Sequence, residues 1–371
     1  MTIFYLFTYN NSLSKWEESG LLEREILFFE KMNKKYGINF IFFTFGNKND
    51  LIYQEKYDYI KIIPIFDYLN ESKNKLINFL KIIFSCSSIV KNSKLNFDII
   101  QTNQLYGSWI ALILKFRFKK PLYIRTGYDL FIFSKKDKKS FVKQILFYLL
   151  TYISLNVCDI YSVSSQTDYQ FLRKNYKFQK NKIVVRNNWV IVEEQKLHKK
   201  NSTNEVLSVG RLEKQKDYEY LISKLNNSKY KLNIVGAGSL EKDLRKISSK
   251  NITFHGVMNF EKLNNAYKRY SIYVSSTNYE GNPKSILEAM GNGCVVVAPN
   301  IENITEIIRN NENGIIYNKL NDDLIQILDN LANDQKKLEM LSNNAKNYII
   351  ENNSLEKNVI NVFDDYKLIS G

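Results

Sequence analysis

Short apolar runs alternate with amphipathic stretches along most of the chain. In the first half, the runs at 2–8, 38–45, 60–63, 97–101, 121–125 and 159–163 read as strands. Helical patterns near 18–35, 74–92, 106–116 and 138–156 separate them. The second half repeats the scheme, with strands at 205–209, 231–235, 252–255, 271–275, 294–298 and 314–317. Helices are predicted there near 217–226, 239–249, 259–269, 284–292 and 302–310, and the pattern is helical from 321 onward. Such alternation argues for α/β domains, each a parallel sheet covered by helices on both faces. The apolar pattern ends at Val192, and Glu193 to Asn204 is polar without periodicity. This predicts a first domain over 1–190, a linker over 191–203, a second domain over 204–350 and a last helix over 351–371. In open sheets of this kind ligands bind beyond the carboxyl ends of the strands, which places the expected site in a cleft between the two domains.

Composition narrows the class. A chain of 371 residues, 44% hydrophobic and 25% charged, has enough apolar material for two cores and is not a disordered chain. Cys86, Cys158 and Cys294 lie far apart with no CxxC spacing, and His198 and His255 are the only histidines. That excludes a disulfide framework and a zinc knuckle, and it argues against a His-based metal site. Net charge is +15, which attracts phosphate-bearing partners such as nucleotides, anionic lipid or nucleic acid. A genome rich in A and T would give the same excess of Lys, Asn, Ile, Phe and Tyr, so charge alone does not select the partner. No apolar stretch reaches the length of a membrane span, and the first residues lack the basic start of a signal peptide. The expected location is cytoplasmic, with a peripheral place on the inner face of the cytoplasmic membrane as the alternative.

Candidate chemistry concentrates in the second half. The segment Ser275 to Met290 follows an apolar strand and opens a helix at Pro283, whose missing N–H suits a first turn. Glu280 falls on the loop and Glu288 on the helix, with seven residues between them. Backbone N–H groups at such a helix start make an anion site. Taken alone, the two glutamates are ordinary helix charge. A second segment, Val209 to Asp217, carries Arg211 and Lys216 between a strand and a helix. Arg offers planar bidentate donors to phosphate oxygens and Lys a mobile point charge. A third, Ile234-Val235-Gly236-Ala237-Gly238, is a strand ending in Gly-x-Gly. It serves equally as a tight strand-to-helix turn or as a ligand contact.

Together these segments resemble the family-4 retaining glycosyltransferases, of GT-B fold. The run Glu280-Gly281 through Glu288-Ala289-Met290 to Gly293-Cys294-Val295-Val296-Val297-Ala298 is similar to the family's E-G-x-P/G-x-x-x-x-E-A-M-A-x-G-x-P-V-V-A. Val209-Gly210-Arg211-Leu212 with Lys216 is similar to V-G-R-L-x-x-x-K-G, with Asp217 at the usual Gly. His255-Gly256-Val257 matches the family's F-x-G-x-V, and Gly20 resembles the remnant of a Gly-Gly loop. Ile183 to Asn188 resembles the V-I-P-N-G turn that ends the first domain. Where many members carry a His, this chain reads Arg125-Thr126-Gly127-Tyr128-Asp129. Arg125 and Asp129 are read either as lining the acceptor side or as a buried structural pair.

The resemblance implies two Rossmann-like domains facing each other across a cleft, with the last helix crossing back onto the first. It implies a hexosyl-type transfer with retention (EC 2.4), from a nucleotide-sugar donor to a glycan or lipid-linked acceptor. Polysaccharide, lipopolysaccharide or glycoconjugate assembly is the expected setting. Glu280, Arg211 and Lys216 would be catalytic. Glu288, Gly281, Asn282, Lys284, Ser285, Gly236, Gly238, Val257 and Gly20 would bind donor. No metal or other cofactor is expected, because Arg211, Lys216 and the helix-start amides near Gly281 would stabilise the leaving diphosphate; Asp322-Asp323 and Asp364-Asp365 sit in helical stretches. The rival classes are a same-fold nucleotide-sugar enzyme such as a 2-epimerase, and a non-enzymatic membrane or nucleic-acid binder. No recognition motif supports nucleic acid.

One feature bears on membranes. Lys135, Lys136, Lys138 and Lys139 precede the apolar Phe141, Ile145, Leu146 and Leu149, and 74–94 offers a second basic helix with Leu76, Leu80 and Phe84. Two readings stand. Either these helices lie on an anionic membrane surface, or they pack on the N-terminal sheet with their lysines outward.

Overall fold

In the computed structural model, which describes residues 1–177, 182–192 and 202–371, the apolar runs form two separate parallel sheets. The first holds β1 (Thr2–Leu6), β2 (Asn39–Thr44), β3 (Ile60–Pro64), β4 (Ile99–Thr102), β5 (Leu122–Arg125), β6 (Ile160–Val163) and β7 (Ile183–Val185). Their order is β3-β2-β1-β4-β5-β6-β7, and every pairing is parallel. The second holds β8 (Glu205–Val209), β9 (Lys231–Val235), β10 (Ile252–Phe254), β11 (Ile272–Val274), β12 (Val295–Pro299) and β13 (Ile315–Tyr317). Its order is β10-β9-β8-β11-β12-β13, again parallel throughout. Each sheet therefore reverses its direction of growth once, beside its first strand, and such switch points open a crevice at the carboxyl ends.

Strand alternation distributes the core of the second sheet. Val206, Ile272, Val274, Val295 and Val297 pack to one side with Leu221, Ile222, Leu324 and Leu328. Leu207, Tyr273, Val296 and Ala298 point the other way, onto Ile286, Leu287 and Met290. Side chains one residue apart leave opposite faces of a strand, so an uninterrupted apolar run feeds both layers. The first sheet is built alike, with Ile3, Phe4, Phe40, Ile41, Phe42 and Ile100 all buried.

The chain divides into two compact units: Met1–Arg186 with Val359–Gly371, and Asn187–Asn358. The closing helix, Leu355–Ser370, carries Asp365 into the first unit's core. There Arg186 holds its carboxylate through Nε at 2.9 Å and Nη2 at 2.6 Å, and Tyr123 Oη donates at 3.1 Å. Tyr366 Oη donates to Gln101 Oε1, and Phe363 stacks on Tyr36 with ring centroids 3.7 Å apart. Residues 193–201, the greater part of the expected linker, lie outside the described residues, as does His198.

Some elements depart from the apolar pattern. The helix expected over 302–310 is regular only at Glu302–Thr305, and Asn313 folds its side chain back onto Arg309 N and Ile307 O instead. The two longest helices the pattern does not show are Leu130–Lys136 and Gln166–Asn175. Each begins on a polar cap: Asp129 accepts from Ile132 N–H, and Ser165 from Asp168 N–H. The Ser-x-x-Asp spacing at 165–168 is a start signal in its own right.

Candidate active site

The Arg211 and Lys216 segment leaves β8 and the Glu280 segment leaves β11, the two strands that flank the switch point of the second sheet. Backbone and side-chain bonds stitch the two loops together. Asn278 N–H donates to Gln215 O at 2.8 Å, Ser276 Oγ to Lys216 O at 2.9 Å, and Thr277 Oγ1 to Gln215 O at 3.0 Å. On this base Lys216 Nζ pairs with Glu280 Oε1 at 2.5 Å, and both side chains are largely buried. Gln215 Nε2 donates to Tyr279 O at 2.8 Å and to Glu280 Oε2 at 3.4 Å, while its Oε1 accepts from Arg211 Nη2 at 3.1 Å. Gln215 thus ties Arg211 to Glu280. Sequence reasoning passed over it, because a glutamine inside a polar loop gives no sign of which way it reaches.

Asp217, at the position where the resembled motif has Gly, takes the glycine's conformation, with φ 50° and ψ 51°. Asp tolerates this left-handed region better than most residues because its short polar chain bonds locally. Here it caps the helix Tyr218–Leu225 through Tyr220 N–H and pairs with Lys319 at 2.7 Å. The substitution keeps the turn.

Beyond Glu280, Gly281 and Asn282 are buried. Asn282 Oδ1 accepts from Asn188 N–H at 2.9 Å and Asn282 O from Asn188 Nδ2 at 2.6 Å, so Asn188 fixes the turn before the helix. That helix, Lys284–Gly291, has Pro283 as its N-cap and no side-chain cap. Its first amides keep the positive end of the helix dipole open to an anion. Lys284 Nζ lies 4.6 Å from the centre of the Trp189 ring. Ser285 Oγ accepts from Tyr273 Oη at 3.1 Å. Glu288, also buried, accepts from Tyr267 Oη at 3.2 Å. Burial and this neighbouring carboxylate together push the Tyr267 hydroxyl well above its ordinary range, so it stays a donor.

The Gly-x-Gly loop after β9 packs backbone to backbone on the Arg211 loop. Gly210 N–H donates to Val235 O and Leu212 N–H to Ala237 O, both at 3.0 Å. A Cβ on Gly236 would stand 2.0 Å from Gly210 O, and one on Gly238 2.4 Å from Leu212 O. Both glycines are required by this approach alone. Ser239, at the loop's end, donates its N–H and hydroxyl to Glu213, which lowers the Glu213 carboxyl below its usual value. Val257 is exposed past the end of β10, and His255 Nε2 bonds Asn233 Oδ1 at 2.8 Å.

The remaining expected residues belong to the first unit. Gly20 closes the helix Leu13–Glu18 at φ 69°, its N–H donating to Glu17 O at 2.9 Å. Arg125 ends β5, and its Nη1 donates to Asn103 O at 3.2 Å at the carboxyl end of the neighbouring β4. Asp129 is buried, capping its own helix, with Thr151 Oγ1 at 3.5 Å from its other oxygen. Burial raises its carboxyl to about 6.

Comparison with known proteins follows the same segments. Residues 191–348 match the family model for glycosyl transferases group 1. A glycosyltransferase of Methanocaldococcus jannaschii is 32% identical over 171 residues, which cover 43% of this chain and 44% of that protein. A 41.2 kDa protein in a cps region of Klebsiella pneumoniae is 26% identical over 262 residues, covering 62% of this chain and 68% of that one. The chain thus aligns with less than half the length of the first of these relatives. Among solved structures, Anabaena HepE in complex with UDP and glucose superposes with a TM-score of 0.75 at 14% identity, over 99% of both chains. The shared fold is GT-B.

Proposed function

We propose, on the match of residues 191–348 to the glycosyl transferases group 1 family, that the protein moves a sugar from a nucleotide-sugar donor to a glycan or lipid-linked acceptor. The transfer retains the anomeric configuration, needs no metal ion, and serves the assembly of a polysaccharide or lipopolysaccharide. The relative from a cps region and the UDP complex of HepE support the setting and the donor class.

One observation carries the reading: Arg211, Gln215, Lys216 and Glu280 are hydrogen-bonded into a single array at the switch point of the second sheet. As the bond from the anomeric carbon to the diphosphate breaks, its electron pair goes to the diphosphate oxygen. Arg211, Lys216 and the uncapped amides of the helix Lys284–Gly291 offer positive charge to that oxygen. The acceptor oxygen bonds to the same face of the sugar, and its proton leaves with the diphosphate. Glu280, held at both oxygens, is positioned to accept from donor-sugar hydroxyls. Glu288 would accept from the ribose.

A thermal-shift screen over UDP-, GDP-, ADP- and CMP-sugars identifies the donor, since a ligand at about 100 times its dissociation constant adds about 2.7 kcal/mol. With that donor, the product's anomeric coupling in proton NMR should match the donor's, and EDTA should leave the rate unchanged. Arg211→Ala and Lys216→Ala should each lower kcat on the order of 100-fold, more than they weaken donor binding. Arg211→Lys should restore only part, because the bidentate fork is lost. Loss of activity in EDTA with recovery in Mn²⁺, or normal turnover of both alanine variants at saturating donor, would overturn this mechanism. Acceptor-independent conversion of the donor to an epimer would instead point to the 2-epimerase class.

A further inference from the structure

The helix Phe141–Val157 is turned the wrong way round for a protein surface. Its buried side includes Thr151 and Ser154 beside Leu155, and Ser154 Oγ lies 3.3 Å from Ser108 Oγ. Its exposed side is apolar: Phe141 is 75% exposed, Val142 66%, Leu146 57%, Leu149 45% and Ile153 45%. These positions recur at helical spacing, so they form one stripe. The helix Lys75–Asn92 does the same over its first half, where Leu76 is 64% exposed, Leu80 44% and Phe84 79%. Burying hydrophobic residues is the main gain of folding, so a stripe left in water needs a second function.

A run of partly buried rings links the two helices. Phe79, on the helix Lys75–Asn92, packs on Trp109 at 5.4 Å, Trp109 on Tyr106 at 5.5 Å, and Tyr106 on Phe147 at 6.1 Å. Topology also orients them. Each helix returns the chain to the start of a parallel strand, β4 or β6, so its first turns lie at the carboxyl edge of the first sheet. The charge beside both helices is predominantly positive. Residues 130–157 contain five lysines and one acidic residue, and 72–97 contain five lysines and none. Lys135, Lys138 and Lys139 are exposed immediately before the apolar stripe. No helix among the described residues is long and apolar enough to cross a membrane.

We propose that these two helices dock the first unit on an anionic lipid surface, with the exposed apolar side chains entering the headgroup boundary and the lysines meeting lipid phosphates. A basic edge beside a narrow apolar stripe is the chemistry of an interfacial helix, and neither half suffices without the other. The inference stands apart from the catalytic reading, because its test needs no substrate.

The test is flotation of the full chain with vesicles of phosphatidylglycerol or of phosphatidylcholine. The protein should float with phosphatidylglycerol, far less with phosphatidylcholine, and be released as salt rises from about 0.05 M to about 0.5 M. Replacing Lys135, Lys136, Lys138 and Lys139 with Gln should weaken partitioning about fivefold per lysine. Leu146→Gln with Leu149→Gln should weaken it at least about tenfold. Both variants change exposed positions, and a melting temperature near that of the unaltered chain certifies their fold. Three outcomes overturn the proposal: the unaltered chain stays in the supernatant with phosphatidylglycerol, the folded leucine variant floats undiminished, or light scattering shows a dimer that the leucine substitutions dissolve. The last would make the surface an interface between copies of this chain.

Discussion

Asp129 holds a conflict that pH exposes. It caps a helix as a carboxylate, yet burial raises its carboxyl from 3.8 to about 6. A carboxyl with a folded value above its unfolded one binds protons more tightly when folded. Its contribution to stability is therefore full below the unfolded value and is lost as pH rises toward the folded one. Two units correspond to about 3 kcal/mol. Asp129→Asn keeps an oxygen for Ile132 N–H and removes the buried charge, at little capping cost. Urea midpoints should show the variant gaining on the unaltered chain between about pH 4 and about pH 7, by up to about 3 kcal/mol. A difference that does not vary with pH would mean that the carboxyl is not desolvated. The array of Arg211, Gln215, Lys216 and Glu280 shows the limit of reading residues one at a time. Arg211, Lys216 and Glu280 are visible as types in a resembled motif, but Gln215, Asn188 and Tyr267 gain their meaning only from the side chains they touch. Nothing local marks them.

At the scale of elements, the loop after β9 controls the loop that carries Arg211 through bare backbone contact. Gly236 has φ 137°, a region closed to side chains, and its Cβ would collide with Gly210 O. Gly236→Ala should cost about 3 kcal/mol and, by displacing the Gly210 backbone, reduce donor binding as well. Gly256 is the internal control: φ is 69° and a Cβ would meet nothing within 4 Å. Gly256→Ala should cost only about 1 kcal/mol. Chemical denaturation of the two variants separates the effects, and equal losses would show that the Gly236 approach is not what demands glycine. Every strand but the short Ile183–Val185 was legible, because parallel, doubly covered strands are apolar at successive positions. Leu130–Lys136 and Gln166–Asn175 were not, because their helical form rests on a polar cap more than on an apolar stripe. The helix Phe141–Val157 was legible as a helix but not in its orientation: its sequence is equally consistent with packing on a sheet, and only burial shows which side faces out.

At the scale of the whole molecule, the first unit is completed by the chain's last residues. Asp365 lies far along the chain from its partners Arg186 and Tyr123, yet is almost wholly buried against them. Asp365→Ala would leave the Arg186 guanidinium without its carboxylate, at a cost of about 3 kcal/mol. Hydrogen exchange resolved by unit should place the loss in β4 to β7, with the second unit's amides protected as before. Unchanged exchange in the first unit would show that the pair contributes nothing there. Acidic pairs such as Asp364-Asp365 illustrate why spacing alone is a weak guide to metal binding: Asp365 is committed to an arginine and a tyrosine, while Asp364 pairs with Lys367.

The sequence by itself determined what depends on local order. Apolar runs at strand length set two sheets, and two carboxylates with seven residues between them, on either side of a proline that follows a strand, matched a resembled motif at the candidate loop and helix. These features need only neighbours along the chain, and periodicity records neighbours. Tertiary structure alone decided which groups meet: Gln215 between Arg211 and Glu280, Gly236 against Gly210, Asp365 on Arg186, and an apolar helical stripe facing outward. Each is a contact between segments distant in sequence or a choice between two faces of one element. Such choices are made by the free energy of the whole packed unit, where burial of every other side chain weighs as much as the residue's own preference.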